Sequence, residues 1–408
     1  MEFDFDNPVN RKGTDSIKWN EDVIESICSN RKADAFWVAD MDFKTEEHIK
    51  LSAQREAELG IFGYPLEAPV TGIFAQWAKK RHDWEIDESK TTFVNGLLHG
   101  VALAVDMFSK EGDGILIPSP TYRPFMEISA DSKRVMVDMP LKKEQDGKFS
   151  LDRNLFLEKL SQAKLVLFCS PHNPSGLVFS LEDLRFVLSE AKKQEKLVIS
   201  DEIHADLSHP SSTHIPMGKA NEGIGADVIT FMAPSKTFNL AGEHAGFAVF
   251  SNEEMFGEFT LRQRALRLTT PGYTIKQLMS AAYLEGYEYN QALCLYLENT
   301  VKAMRKYLEK ECPELKLANS EASFVTFLDC SAVYNKIEKK VLSEPEKYRI
   351  AKGGGILSPF FGVEAAICMN DGTWFGPSYK EYVRLNYGTS RAFTMNALER
   401  IVKAVKAL

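Results

Sequence analysis

Short apolar runs alternate with amphipathic stretches through the middle of the chain. Four runs are apolar on both faces and end in proline, serine or aspartate, which is typical of strands buried inside a sheet. They are residues 115–117, Leu165–Cys169, residues 197–200 and Val228–Met232. Stretches with apolar residues at helical spacing, such as Leu181–Lys193, separate them. The alternation predicts right-handed βαβ units and an α/β fold, with a mostly parallel central sheet and helices on both faces.

The pattern changes after about residue 285. The predicted elements are then a long charged helix, two strands and a last helix, at residues 290–310, 324–328, 382–386 and 394–407. Strands and helices that no longer alternate are typical of an α+β domain. We therefore predict an N-terminal segment that packs on a small domain, a large ligand-binding domain and a smaller C-terminal α+β domain, at residues 1–45, 46–285 and 286–408.

Composition narrows the class of protein. The chain has 408 residues, of which 44% are hydrophobic and 26% charged, as in ordinary globular proteins. A net charge of -8 without a basic block argues against nucleic acid or an anionic membrane as a partner. No apolar window reaches the roughly 18 residues of a membrane span, and the start lacks the features of a secretory signal.

The six cysteines contain no CxxC pair. Because the chain shows no export signal, we expect reduced and mostly buried thiols rather than disulfides, and a cytoplasmic protein. No metal site is predicted.

Ligands of parallel α/β sheets bind at the carboxyl ends of the strands, so the residues there are candidates for chemistry. Asp201 directly follows a buried run, where an unpaired carboxylate is costly and calls for a cation such as a protonated pyridine nitrogen. The alternative is a helix N-cap. Lys236 follows the next strand, and desolvation there would lower its pKa and suit a Schiff-base lysine. The alternative is a surface loop.

Two other strand ends carry weaker candidates. Asn173 lies in a proline-rich turn after Leu165–Cys169, and its amide can donate a hydrogen bond, although a plain turn has the same composition. Gly96 precedes a predicted helix over Leu97–Phe108. A glycine there leaves backbone N–H groups open to a phosphate, but it also suits an ordinary helix start.

The order of these motifs resembles a known family. Asn173-Pro-x-Gly176, Asp201-Glu-Ile-His204 and Ser235-Lys236 resemble the fold-type I pyridoxal-phosphate (PLP) enzymes, the aspartate aminotransferase superfamily. Residues 37–43 (WVADMDF), 62–65 (FGYP) and 235–242 (SKTFNLAG) resemble its MalY/PatB branch of cystathionine β-lyases. The resemblance extends over nearly the whole chain and implies PLP as the cofactor and a small amino acid as the substrate.

The resemblance implies roles for individual residues around the pyridine ring. Lys236 is expected to bind PLP as a Schiff base and to remove the Cα proton of the substrate. Asp201 is expected to pair with the pyridine nitrogen, and Asn173 and His204 to lie at the 3-oxygen of the ring. Tyr122 matches the aromatic residue that stacks on the ring, although position alone also suits a core aromatic.

Further matches concern the phosphate and the substrate. The implied phosphate ligands are two backbone N–H groups and a hydroxyl, those of Gly96, Leu97 and Ser235. Tyr64 matches a tyrosine that reaches the phosphate of the neighbouring subunit, which implies a homodimer. Arg384 matches the arginine that binds the substrate α-carboxylate together with Asn173, whereas composition alone favours a surface arginine on an edge strand.

The chemistry after Cα deprotonation is open between two reactions. A β-lyase expels a thiolate from Cβ, whereas an aminotransferase passes the amino group to a 2-oxo acid. Aminotransferases of this superfamily usually have an arginine eight residues after the lysine, and this chain has His244 there, beside Glu243. We therefore favour a cysteine-S-conjugate β-lyase, with an aminotransferase and a regulatory protein-binding role as alternatives. Arg123 either selects an acidic substrate group or faces solvent.

Overall fold

A computed structural model describes residues 3–65, 70–350 and 354–408. The strands are β1 (Asp34–Ala35), β2 (Thr91–Val94), β3 (Gly114–Ser119), β4 (Val135–Pro140), β5 (Lys142–Lys143), β6 (Phe149–Ser150), β7 (Leu165–Cys169), β8 (Leu197–Asp201), β9 (Val228–Met232), β10 (Gly246–Phe250), β11 (Lys316–Leu317), β12 (Val325–Asp329), β13 (Ile367–Cys368), β14 (Asn370–Asp371) and β15 (Tyr382–Asn386).

The α-helices enclose the sheets and connect their strands. They are α1 (Glu21–Cys28), α2 (Glu47–Leu59), α3 (Thr71–His82), α4 (Leu97–Phe108), α5 (Arg123–Asp131), α6 (Arg153–Leu160), α7 (Leu181–Lys193), α8 (Met217–Ala220), α9 (Glu253–Ala265), α10 (Tyr273–Glu285), α11 (Tyr287–Glu311), α12 (Tyr334–Ser343), α13 (Leu357–Ala365) and α14 (Arg391–Lys406).

A seven-stranded sheet forms the centre of the molecule, in the order β2-β10-β9-β8-β7-β3-β4. Strand β10 runs antiparallel to both neighbours, and the other neighbouring strands pair in parallel. Every residue of β7, β8 and β9 is buried. Alternate residues of β8 enter different cores, because Val198 clusters with Leu184 of α7 and Ile199 with Val101 of α4. The predicted α/β fold is confirmed.

The predicted boundaries agree closely with the structure where the pattern is regular. Strands β7 and β9 and helices α4 and α7 have the predicted bounds, and β8 includes Asp201 as its last residue. Strand β10 is not predicted, because it follows β9 without an intervening α-helix and pairs antiparallel. It therefore lies outside the βαβ alternation from which the other strands are inferred.

A second sheet contains four antiparallel strands in the order β11-β12-β15-β14. Near the N-terminus, β1 pairs in parallel with β13. Strand β15 is buried throughout and carries Arg384 at its centre. The division at residues 45 and 285 remains a prediction.

Of the helices that the structure describes, none combines the length and the apolar character needed to cross a membrane. All six cysteines lie within the described residues, and each is buried with a free thiol.

Candidate active site

Loops that follow the carboxyl ends of five sheet strands surround a cavity of about 440 Å³. These strands are β2, β3, β7, β8 and β9, which point in the same direction and so end at the same edge of the sheet. Eight of the ten predicted site residues line the cavity, namely Gly96, Leu97, Tyr122, Asn173, Asp201, His204, Ser235 and Lys236. Arg384 and Tyr64 are not among the lining residues.

Lys236 extends into this cavity from the loop after β9. Its Nζ donates a hydrogen bond to the carbonyl of Ala39, at 2.7 Å. Burial lowers the pKa of Lys236 from 10.5 to about 8. The amine is therefore much more readily available in its neutral, nucleophilic form than an exposed lysine.

Asp201 is a buried carboxylate with few donors. It is 3% exposed, and within the described residues it accepts one hydrogen bond, from the backbone N–H of Ile203 at 3.0 Å. Burial raises the pKa of Asp201 from 3.8 to about 7, and the neighbouring carboxylate of Glu202 also raises it. A cation placed against this carboxylate would compensate for its desolvation.

His204 has one partnered and one unpartnered ring nitrogen. Its Nδ1 lies 2.9 Å from the hydroxyl of Ser323, whereas Nε2 is buried and has no partner in the described part of the chain. Burial, with added repulsion from Lys236 and Arg384, lowers the pKa of His204 to about 3, so the ring is neutral. When the Ser323 hydroxyl donates to Nδ1, Nε2 carries the hydrogen and can donate it.

Arg384 joins the site through Asn173. Its Nη1 donates to Asn173 Oδ1 at 3.2 Å, which leaves the amide N–H₂ of Asn173 available to the cavity. Burial lowers the pKa of Arg384 to about 10. Because Arg384 is 5% exposed, it is not the surface arginine that composition alone favours.

The first turn of α4 forms one end of the cavity. Gly96 has a φ of +93°, and its own N–H donates to the carbonyl of Val94 at 2.8 Å. The open amides at this end are therefore those of the first helical turn, Leu97, Leu98 and His99, all of which line the cavity. For the Gly96 N–H to donate to a phosphate, its hydrogen bond to the Val94 carbonyl would have to break. The predicted phosphate role of Gly96 and Leu97 remains a prediction.

Two other residues border this end. The Ser235 hydroxyl donates to the carbonyl of Ala245 at 3.4 Å. His244 also lines the cavity, and a Cβ added to Gly96 would lie 3.4 Å from its Nδ1. A glycine at position 96 therefore allows both the left-handed backbone and the close approach of His244.

The remaining predicted residues lie at the rim or outside it. Tyr122 lines the cavity and packs edge-to-face on Phe125, with ring centroids 6.0 Å apart. Tyr64 is fully exposed. Arg123 is exposed and pairs with Glu127 at 2.7 Å, outside the cavity lining.

Sequence reasoning missed several residues of the site. Cys169 and Ala39 line the cavity, and their positions at a strand end and in the WVADMDF motif were available indications. Ser323 and Asn370 contact His204 and Arg384, respectively, from distant parts of the chain. No local pattern marks these two contacts.

The model of the family described as aminotransferase class I and II matches residues 64–401. The chain belongs to this family. It is 31% identical over 406 residues to the cystathionine beta-lyase PatB of Bacillus subtilis, covering 99% of this chain and 100% of that protein. These matches confirm the resemblance inferred from the motifs.

Two solved structures extend the comparison of this class I and II family member. The PLP-bound C–S lyase of Staphylococcus hominis has a TM-score of 0.87 and 26% identity, covering 99% of this chain and 98% of that chain. Cystalysin of Treponema denticola, which contains a pyridoxal 5'-phosphate cofactor, has a TM-score of 0.87 and 25% identity, with 100% of each chain covered.

PLP is the cofactor of this family member, and the described residues fit it. Asp201 has a single donor, as expected for a carboxylate completed by a pyridinium N–H. The unpartnered Nε2 of His204 and the free amide N–H₂ of Asn173 suit the 3-oxygen of the ring. Lys236 would bind the aldehyde carbon, and the first turn of α4 would receive the phosphate.

Proposed function

We propose that the protein is a cysteine-S-conjugate β-lyase of the cystathionine β-lyase type. In the proposed reaction, the substrate loses its Cα proton and its Cβ–S bond breaks with the electron pair leaving on sulfur. Overall, one water is consumed, and the thiol, pyruvate and ammonia are released. The similarity to the cystathionine beta-lyase PatB and to the C–S lyase of Staphylococcus hominis supports this choice.

His244 carries the preference for elimination over amino transfer. It stands eight residues after Lys236, where aminotransferases of this superfamily usually have an arginine, and it lines the cavity beside Gly96. Elimination and amino transfer share the Cα deprotonation, so the remaining site residues suit both reactions. An aminotransferase is therefore the alternative outcome of the test below.

The residues of the site have distinct proposed roles. Arg384 and Asn173 bind the α-carboxylate, and Tyr122 stacks against the cofactor ring. When bound, PLP supplies the electron sink for the pair left at Cα, and Asp201 keeps its ring nitrogen protonated. The neutral amine of Lys236 takes the Cα proton, and the resulting ammonium returns a proton to the departing sulfur.

The decisive experiment separates the two reactions by their co-substrate. Purified protein is incubated with PLP and L-cystathionine in the absence of a 2-oxo acid, and pyruvate and free thiol are measured. We expect both products in equal amounts over many turnovers. Activity that requires an added 2-oxo acid would instead identify an aminotransferase.

We also propose that the enzyme is a homodimer in which Tyr64 reaches the phosphate of the neighbouring site. Tyr64 is fully exposed and lies next to other large exposed apolar residues, Leu59, Ile61 and Phe62. A second copy of the chain would cover this apolar segment and bring the phenol to a phosphate. Residence in the cytoplasm remains a prediction.

Mixing one inactive and one weakened variant tests the shared site. Tyr64→Ala and Lys236→Ala subunits are dissociated together and reassociated. In the mixed dimer, one site combines an intact Lys236 with the partner's intact Tyr64, so PLP binding and turnover should recover at half of the sites. Mixtures that remain as weak as the Tyr64→Ala protein alone would contradict the shared site.

A further inference from the structure

Arg384 is surrounded by neutral groups. Its Nη2 donates to Asn370 Oδ1 at 2.7 Å and to the Trp37 carbonyl at 2.8 Å, and its Nη1 donates to Asn173 Oδ1. The ring of Phe375 lies 5.0 Å from its Cζ. Among the residues that the structure describes, no carboxylate pairs with Arg384, and its Nε has no hydrogen-bond partner. The guanidinium is therefore a buried positive charge without a counter-charge.

Asn370 accepts the shortest hydrogen bond from Arg384 and is an amide rather than a carboxylate. It is 2% exposed and lies on β14 directly opposite Arg384 on β15. A contact of the same length elsewhere in the molecule is made by a carboxylate, since Arg400 donates to Asp34 at 2.7 Å. Asparagine and aspartate have nearly the same shape, so the contact with Arg384 suits either residue. With the amide of Asn370 in this place, the buried positive charge of Arg384 stays uncompensated, whereas a carboxylate would stabilise it.

We propose that Asn370 determines specificity by holding Arg384 in place without neutralising it, so that its charge is reserved for the α-carboxylate of an amino-acid substrate. An aspartate would keep the contact but would compete with the incoming carboxylate. Asn370 acts through Arg384 and is a positioning residue. The inference rests on the proposed function only in assigning the α-carboxylate to Arg384, and it holds for elimination and for amino transfer alike.

The test compares two ligands that differ in one charge. 2-Methylalanine has an amine and a carboxylate but no Cα hydrogen, and its carboxamide lacks the negative charge. Binding of each to the PLP-loaded enzyme is followed by the absorbance of the cofactor. We expect the wild type to prefer the acid by about 100-fold. Asn370→Ala should keep this preference within about threefold, whereas Asn370→Asp should lose at least about 30-fold of it.

Thermal unfolding of the cofactor-free protein gives a second readout. Asn370→Asp should raise the unfolding temperature because it gives the buried guanidinium a counter-charge, and Asn370→Ala should lower it. Asn290→Asp is a matched control, since Arg81 Nε donates to Asn290 Oδ1 at 2.8 Å outside the cavity lining. This control should leave the preference for the acid unchanged.

The outcomes separate neutrality from simple orientation. An Asn370→Asp enzyme that keeps the wild-type preference overturns the proposal. An Asn370→Ala enzyme that loses the preference for the acid also overturns the proposal, because the contact would then serve only to orient Arg384. If Asn370→Asp fails to fold, the Asn370→Ala result alone tests the proposal. A wild type without preference for the acid overturns the proposal even if cystathionine yields pyruvate. If the wild type prefers the acid but forms no pyruvate from cystathionine, only the proposed lyase activity is overturned.

Discussion

Two groups of polar side chains, one containing Asp201 at the end of β8 and the other the adjacent Glu202, differ in how far their charges are compensated. We call them the cavity cluster, which consists of Asp201, His204, Lys236 and Arg384, and the support cluster, which consists of His82, Glu202, Asp206 and His214. Seven of the eight residues are buried, and Lys236 is half-buried. Burial alone therefore does not distinguish them.

The support cluster is rich in hydrogen bonds. Glu202 accepts from the Ser200 hydroxyl, the Met217 N–H and His214 Nε2, at 2.7–2.8 Å. Asp206 also has three side-chain donors, which are Trp77 Nε1, His82 Nε2 and the Thr237 hydroxyl, at 2.8–3.0 Å. Burial would raise the pKa of Asp206, but the hydrogen bonds, above all that of His82, outweigh it and lower the pKa.

In the cavity cluster, hydrogen bonds do not offset the effect of burial on the pKa values. Asp201 has one donor, its pKa is raised to about 7, and the pKa of Lys236 is lowered to about 8. The cavity cluster is thus incomplete without a ligand, whereas both carboxylates of the support cluster, Glu202 and Asp206, are satisfied within the protein. Unsatisfied buried charge thus marks the reactive residues, and satisfied charge fixes their positions. Thr237, bonded to Asp206, is the chain neighbour of Lys236 and connects the two clusters.

The largest expected effect comes from Lys236→Ala. Removing the amine abolishes covalent attachment of PLP and the base at Cα, so turnover should fall by more than about 10⁴-fold. The absorbance band of the protein-bound cofactor should disappear as well. Turnover that survives would show that another group carries the chemistry.

Asp201→Asn should reduce turnover by about 100- to 1,000-fold, because the pyridine nitrogen loses its counter-charge. The cofactor-free variant should, however, be more stable than the wild type. The pKa of Asp201 is raised from 3.8 to about 7 by burial, so its contribution to stability is full below about pH 4 and is lost as pH rises through 7.

Unfolding of the cofactor-free proteins at several pH values measures this effect. At pH 8 the free energy of unfolding of Asp201→Asn should exceed that of the wild type by on the order of 3 kcal/mol, and the difference should shrink in acid. A variant that is less stable than the wild type at pH 8 would show that the buried carboxylate of Asp201 does not destabilise the cofactor-free protein.

Asp206→Asn makes the same substitution in the support cluster and should have the opposite effect on stability. The three donors to Asp206 lose a charged acceptor, and at least one of them then points at the N–H₂ group of the new asparagine, which cannot accept a hydrogen bond. The free energy of unfolding should therefore fall by about 1–3 kcal/mol. Denaturant titration of both variants checks that the free energy of unfolding falls in Asp206→Asn and rises in Asp201→Asn. Turnover of the folded fraction should fall less than in Asp201→Asn.

The rate of PLP capture should depend on pH through the pKa of Lys236. Its pKa is lowered from 10.5 to about 8, so the rate at which cofactor-free protein captures PLP should rise about tenfold per pH unit up to 8 and then level off. Stopped-flow absorbance, with N-acetyl-lysine as the unburied control, measures it. A rate that continues to rise to pH 10 would mean that burial does not lower this pKa.

The smallest effect is expected at the exposed border of the cavity. His244→Arg places a permanent positive charge where His244 approaches Gly96, and it should tighten PLP binding by about three- to tenfold. Fluorescence titration of the cofactor-free protein measures the affinity, and Glu243→Arg, one residue away, is the matched control. Weaker binding in His244→Arg would place the phosphate elsewhere.

Regular elements were predictable from the sequence because their periodicity is local. The bounds of β7 and β9 follow from short apolar runs that are buried on both faces, and those of α7 follow from apolar residues that recur along one face of the helix. Strand β10 was not predictable in this way, since nothing in its five residues indicates an antiparallel partner. The open hydrogen-bonding state of Asp201 also lay beyond the sequence, which suggested only that a carboxylate there needs a partner.

The family and its cofactor were recognisable from the sequence because its short motifs resemble those of known PLP enzymes. The candidate residues could be placed at strand ends because a parallel sheet brings the carboxyl ends of its strands to one edge. Only the tertiary structure decided which of the buried charges are compensated. Asp206 and Asp201 are both aspartates near the end of β8, yet one has three side-chain donors and the other has one backbone donor. Likewise, Asn370 meets Arg384 only through pairing of β14 with β15. Such compensation depends on contacts between distant segments, and these form only when the chain has folded.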